Sequence, residues 1–271
     1  MEKNLSHLSE LQKYELNVLK KFVKICEDNN LKYYITGGSL LGAIRHHGFI
    51  PWDDDIDVVM PRKDYEYLKA NAHNLLTGNL YLSNYDTPGH IWSPKIVDTS
   101  THFYLNNSLK KKELGAWVDI LILDGVPNPG IRRTIFKYYY LFARLMYQFS
   151  TFSQSVNLHR KRSLFERLLI GFAKFSHIEL ILNSRIIGNF YDRVCSHYDI
   201  NYSEYVAPLG GVMRFKEVVP KEWFGEGVVL QFEDMEVIGV TEWDKYLTYI
   251  YGDYMTPPPS DERNKHNVSS T

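Results

Sequence analysis

The sequence predicts an α/β (α+β) fold, a mixed sheet with flanking helices, and three observations carry that expectation. Short runs at 31–36, 56–60, 79–83, 93–98, 101–105 and 116–123 either alternate apolar with polar residues or are continuously apolar, as strands do. Helical spacing separates them, first at Leu8, Leu11, Val18, Phe22 and Ile25. The chain of 271 residues is 44% hydrophobic, which permits one large domain or a domain with an insertion.

The first helix has Ser9 as its cap and Gln12 three residues on; Asp28-Asn29-Asn30 ends it. Leu31, Tyr33 and Ile35 then alternate with Lys32, Tyr34 and Thr36. Gly37 and Gly38 allow a sharp turn and close backbone approach. Ser39 is expected to cap a short helix that Gly48 ends. Amides at such a helix start suit a phosphate. Further on, Asp53, Asp55 and Asp57 share one parity, so an extended chain points them to one side. Carboxylates so placed repel unless a cation lies between them, and a hard divalent ion such as Mg2+ suits oxygen ligands.

Pro61 opens a second helix with Tyr65, Leu68 and Leu75 inward. In the strand 116–123, Trp117, Asp119, Leu121 and Leu123 share one face. Asp119 is thus an acid within an apolar strand, and burying it unpaired costs several kcal/mol. Its partner is either a metal shared with Asp55 and Asp57 or a neighbouring Arg or Lys. Asp124, before Gly125, reads as a turn residue.

From Ile131 to about His197, aromatic and aliphatic patches interleave with basic residues, Arg132, Arg133, Lys137, Arg144, Arg160, Lys161, Arg162, Arg167 and Lys174 among them. Helices are expected there, either as a subdomain burying its aromatics or as a basic face on an anionic membrane. A hairpin turning at Glu233-Asp234 follows, then a last helix from Thr241 to Gly252 holding Trp243, Tyr246, Leu247 and Ile250. Pro257-Pro258-Pro259 extends the chain toward Arg263, Lys265 and His266. These divisions give a core at 1–130, a helical insertion at 131–197 and a C-terminal part at 198–271 that completes the core.

Formal net charge is -1, which argues against a nucleic-acid partner. Cys26 and Cys195 are too few for a disulfide framework, and no cysteine or histidine partner makes His46 or His47 a zinc ligand. The first residues have no apolar signal core, and no run of about 18 apolar residues predicts a spanning helix. A cytoplasmic protein, at the inner face of the membrane if the basic insertion binds there, is the expectation.

Gly37-Gly38-Ser39 followed by Asp55-Ile56-Asp57 resembles the nucleotidyltransferase signature. The fuller run from Gly38 to Asp57, with Arg45-His46 and Ile50-Pro51-Trp52-Asp53, resembles the LicD family of phosphocholine transferases, related to fukutin and fukutin-related proteins. Similar later blocks are Lys95-Ile96-Val97-Asp98 with Thr101, Val118-Asp119-Ile120 with Leu123-Asp124-Gly125, and Tyr251-Gly252-Asp253-Tyr254 before Pro257-Pro258. The gap between Ser39 and Asp55 is longer than in most nucleotidyltransferases and suits the LicD branch.

That resemblance implies a nucleotidyltransferase-like sheet and transfer of phosphocholine from CDP-choline to a glycan hydroxyl, on a lipid-linked teichoic acid or lipopolysaccharide precursor. It implies Asp55, Asp57 and Asp119 as catalytic, metal-holding acids for one or two Mg2+ ions, with Mn2+ as a substitute. Gly37, Gly38 and Ser39 would position phosphates, and Arg45 and Lys95 would neutralise charge. A choline headgroup suits an aromatic cage, for which Trp52, Trp92 and Trp117 are the candidates. The C-terminal tail would lie near the active site. The rival readings are transfer of a nucleoside monophosphate to a small molecule and a non-catalytic scaffold of the same fold.

Overall fold

Ten strands form one mixed sheet in a computed structural model that describes residues 5–105, 112–155, 170, 171, 175, 179, 181–259 and 268–270. Helix α1 (Glu10–Asp28) leads in, closed at its start by a reciprocal capping box between Ser9 and Gln12. Strand β1 (Tyr34–Ile35), helix α2 (Gly37–His46) and strand β2 (Asp57–Pro61) form the organising turn, and α3 (Arg62–Leu75) follows. Next come β3 (Leu80–Ser83), β4 (Lys95–Leu105) and β5 (Lys112–Val126). Helices α4 (Ile131–Ser150), α5 (Phe152–Ser155) and α6 (Ser184–Cys195) then precede β6 (Tyr205–Pro208) and β7 (Val219–Pro220). The hairpin of β8 (Val228–Phe232) and β9 (Met235–Gly239), helix α7 (Trp243–Tyr251) and β10 (Val268–Ser270) complete the described elements.

The strand order is β10-β4-β5-β2-β1-β9-β8, with β3 paired to β4 and β6 paired to β5 and β7. Long β5 is its axis. It runs parallel to β2 on one side and antiparallel to β4 on the other. Its continuous apolar run matches burial on both faces. Val118, Ile120 and Ile122 join Val58, Met60 and the α1 residues Leu16, Leu19 and Phe22 in the main core. Each such side chain contributes roughly 1.5–3 kcal/mol on burial. A second core joins Phe136, Tyr140, Ala143 and Tyr147 of α4 to Tyr191 and Val194 of α6.

Several sequence expectations change in detail. The first strand pairs over Tyr34–Ile35 only. The runs at 93–98 and 101–105 are one strand, β4, whose register shifts between Asp98 and Phe103. Helix α2 starts before Ser39: Thr36 is its N-cap residue, and the Ser39 hydroxyl is engaged elsewhere. His47, in the left-handed conformation at φ 54°, caps the other end in place of Gly48. Arg160, Lys161, Arg162, Arg167 and Lys174, and in the tail Arg263, Lys265 and His266, lie outside the described residues.

Candidate active site

Asp57 opens β2, and Asp119 lies directly across from it on β5. Lys95 of β4 pairs with Asp119 from the other side. Residues paired across a sheet point the same way, so three neighbouring strands present Lys95, Asp119 and Asp57 in one row. Asp55 adds a third carboxylate from the segment entering β2. Oxygens of Asp55, Asp57 and Asp119 all lie within 4.8 Å of one another.

Asp119 is held on every side. Its Oδ1 accepts from the Ser93 hydroxyl at 2.5 Å and from Lys95 Nζ, and its Oδ2 accepts from Trp117 Nε1 at 2.8 Å. The charged partner left open by the sequence is therefore, within the chain itself, Lys95. This also fixes the place of two residues singled out for substrate: Lys95 is buried against Asp119, and Trp117 is buried with its indole N–H turned to the same carboxylate.

The glycine turn packs against these acids. Gly37 takes φ +56°, and a Cβ there would stand 3.1 Å from Asp57 Oδ2. At Gly38 a Cβ would stand 2.6 Å from Asp53 Oδ2, so any side chain there would have to displace the Asp53 carboxylate. Starting the helix at Gly37 leaves Ser39 inside the first turn, where its hydroxyl accepts from the Asp57 amide at 2.9 Å and ties α2 to β2. Asp53 is thereby set beside the turn, not in the triad. Below the turn, the Thr36 hydroxyl meets the Tyr246 hydroxyl at 2.8 Å, and Tyr246 donates to Glu217 Oε1 at 3.2 Å. Burial pushes the Glu217 carboxyl up to about 7.

The acids that meet here act on one another. Burial first, then the neighbouring Asp55, Asp119 and Asp53 carboxylates, push Asp57 well above the usual range, against a weaker pull from Lys95. Glu15 of α1 is 0% exposed, and neither of its carboxyl oxygens has a hydrogen-bond partner among the described residues. Burial, then Asp55, Asp54, Asp53 and Asp119, push it up as well. One turn earlier, Gln12 Nε2 donates to the Asp53 carbonyl at 2.8 Å and anchors the acidic loop to the same helix.

Sequence reasoning passed over Glu15, Ser93, Tyr246 and Glu217. A signal existed for Glu15, which stands four residues after Leu11 and four before Leu19, inside the apolar face of its helix. Ser93 sits two residues before Lys95, on the same side of an extended chain.

Arg45 sits at the end of α2. Its Nη1 donates to the Tyr254 carbonyl and its Nε to His46 Nε2, both at 3.0 Å, and its guanidinium is 6.0 Å from the Trp52 ring centre. The Tyr251–Tyr254 block is thus tied to the glycine-turn helix. Trp52 packs partly buried against the main core, whereas Trp92 is 45% exposed. Asp124 is no turn residue. It is buried on β5 and takes Arg62 Nε at 2.8 Å and Nη2 at 2.6 Å in a bidentate pair, because its strand continues to Val126 against β6.

A row of acids on two adjacent parallel strands, beside a glycine turn that opens a helix, defines a nucleotidyltransferase-type domain. The chain belongs to the LicD family. Residues 30–148 match the family described as LicD/FKTN/FKRP, nucleotidyltransferase domain. Over 273 aligned residues the chain is 31% identical to the lipopolysaccharide cholinephosphotransferase LicD of Haemophilus influenzae, covering 96% of each protein. The human ribitol 5-phosphate transferase FKRP is 43% identical over 112 residues, 36% of this chain and 21% of its own length. An uncharacterized protein of Rickettsia prowazekii is 42% identical over 59 residues, 22% of this chain and 21% of its own.

Proposed function

We propose that the chain moves phosphocholine from CDP-choline to a hydroxyl of a lipid-linked glycan, in a Mg2+-dependent reaction at Asp55, Asp57 and Asp119. The observation that carries this reading is the meeting of three carboxylates within 4.8 Å. Close acids in a partly buried site are costly unless cations share them. Lys95 is one such cation, and the elevation of Asp57 despite it leaves a deficit of positive charge. Donors that are all oxygen suit Mg2+ or Mn2+.

Asp55, Asp57 and Asp119 would hold the metal, which when bound supplies Lewis-acid stabilisation of the phosphoryl oxygens. The chain's own groups do the rest. Gly37 and Gly38 let phosphate oxygens approach the amides that open α2. Lys95 and Arg45 neutralise charge that develops on the transferred group. Asp119, oriented by Ser93, Lys95 and Trp117, accepts the proton of the attacking hydroxyl. That oxygen bonds to the phosphorus bearing choline, the bond from phosphorus to the CMP oxygen breaks, and CMP leaves. Trp92, the most exposed of the three candidate tryptophans, would offer a ring to the quaternary ammonium.

The name of the Haemophilus relative supports phosphocholine as the group transferred and a lipopolysaccharide as the kind of acceptor. No helix among the described residues is long and apolar enough to cross a membrane. The proposal places the protein in the cytoplasm, meeting its acceptor at the inner face of the membrane. The test is incubation with CDP-choline, CDP-ethanolamine and a CDP-linked polyol in Mg2+, with an acceptor glycan. CMP release, greatest with CDP-choline and abolished by chelation, is expected. Pyrophosphate released from a nucleoside triphosphate instead would replace this reading with nucleotide transfer.

A further inference from the structure

Helix α4 has two apolar faces, and among the described residues only one has a partner. Phe136, Tyr140, Ala143 and Tyr147 face inward and pack on α6 and β6. Ile131, Ile135, Tyr138, Tyr139 and Phe142 recur at helical spacing on another side, and each is between 47% and 73% exposed. An exposed stripe of large side chains on a structured helix marks an interaction site. The stripe continues onto α6. Tyr139 meets Phe190 edge-on at 6.0 Å, and Ile186, one turn before Phe190, is 65% exposed.

The charges around the stripe identify what it fits. Helix α4 contains no Asp or Glu, although the chain as a whole has net charge -1. Two of its four cations are turned to the protein: Arg133 Nε donates to the Pro127 carbonyl, and Arg144 Nη1 donates to the Leu209 carbonyl. Arg132 remains exposed beside the stripe; Lys137 is exposed farther round the helix, its Nζ 6.0 Å from the Phe215 ring centre, and neither forms an ion pair among the described residues. Apolar and aromatic side chains flanked by exposed cations, with no acid among them, are complementary to an anionic lipid surface. A second copy of the chain fits less well, since a two-fold contact across the stripe would bring the same cations to one interface.

We infer that the exposed stripe of α4, extended by Ile186 of α6, seats the protein on an anionic membrane. Arg132 meets the headgroups, and Lys137 adds to the positive field of the helix. Ile131, Ile135, Tyr138 and Phe142 enter the boundary between headgroups and acyl chains, with the helix lying in the plane of the interface. This deepens the lipid-linked acceptor reading above.

The test is flotation of the full chain with vesicles of phosphatidylglycerol and, separately, of phosphatidylcholine, at low and at high salt. Binding to phosphatidylglycerol, weakened by salt and at least tenfold weaker on phosphatidylcholine, is expected. The double variants Ile135→Ser with Phe142→Ser and Arg132→Glu with Lys137→Glu each lower the affinity for phosphatidylglycerol at least tenfold and leave the unfolding temperature unchanged, because all four residues are exposed. Asp57→Ala binds vesicles like the parent chain even where it has lost CMP release, so failure of docking and failure of the transferase reading are distinct results. The inference is overturned if the parent chain does not float with phosphatidylglycerol at low salt, or if both double variants float as well as it does. It is overturned too if sedimentation finds a dimer that Ile135→Ser with Phe142→Ser converts to monomer, since the stripe then belongs to a second copy.

Discussion

Two clusters of acids lie along the same pair of strands, and they are built to opposite rules. At the Pro61–Leu123 end of the β2–β5 ladder, Asp124 is buried, but Arg62 closes on it through two nitrogens and reaches Asp192 Oδ1 at 2.8 Å as well. Burial there raises the Asp124 carboxyl only to about 6, because Arg62 pulls against it. At the Asp57–Asp119 end, three carboxylates meet, Asp119 is paired with Lys95, and Glu15 lies buried nearby with no hydrogen-bond partner among the described residues. The first cluster carries its own cation and serves the fold. The second gathers carboxylates that raise one of their own, Asp57, well above its usual range, which favours recruiting a cation from solution.

The hardest test of that contrast is Asp57→Ala. Losing one of three acids from the site is expected to lower CMP release on the order of 100- to 1000-fold and to abolish Mn2+ binding followed by electron paramagnetic resonance. Retained Mn2+ binding would end the functional reading of the second cluster. Arg62→Met probes the first cluster. It strands Asp124 and Asp192, so urea unfolding should show a loss of about 3–5 kcal/mol, while Mn2+ affinity of the folded protein stays put. A change in Mn2+ affinity there would mean that the two clusters are not independent.

Smaller effects sharpen the comparison. Lys95→Met removes the cation paired with Asp119, so Mn2+ should bind roughly three- to tenfold tighter even though CMP release falls. Glu15→Gln tests the buried acid through the metal-free protein. Glu15 and Asp57 both have folded-state values raised above the unfolded ones, so the folded state holds the extra protons. The metal-free protein should therefore lose stability as pH rises from the ordinary carboxylate range toward those raised values. Glu15→Gln flattens this slope and raises stability at pH 8 by about 1 kcal/mol, with no gain near pH 3, below the window. An unchanged slope would mean that Glu15 is ionised in the fold.

Much of the site was legible because it is local. Gly37 to Asp57 is one continuous stretch, so the glycine turn, the helix and the acids of alternate parity could be read by spacing alone. Asp119 stood out as a charge inside an apolar run. Its partner was not legible, since Ser93, Lys95 and Trp117 reach it only through the register of β4 on β5 and the fold of β5 itself. Ser39 reads as a cap from its place after two glycines, yet the positive φ at Gly37 moves the helix start and gives the hydroxyl to Asp57. Asp124 before a glycine imitates a turn until Arg62, 62 residues earlier, closes on it.

By itself the sequence determined the class of fold, the glycine turn, the acid pair at Asp55 and Asp57, and the family, because periodicity and short motifs are properties of neighbouring residues. Tertiary structure alone decided which acids are neutralised and which are not. That outcome depends on strand register and burial, which bring together side chains far apart in the chain and set whether a charge meets water, a cation or another charge.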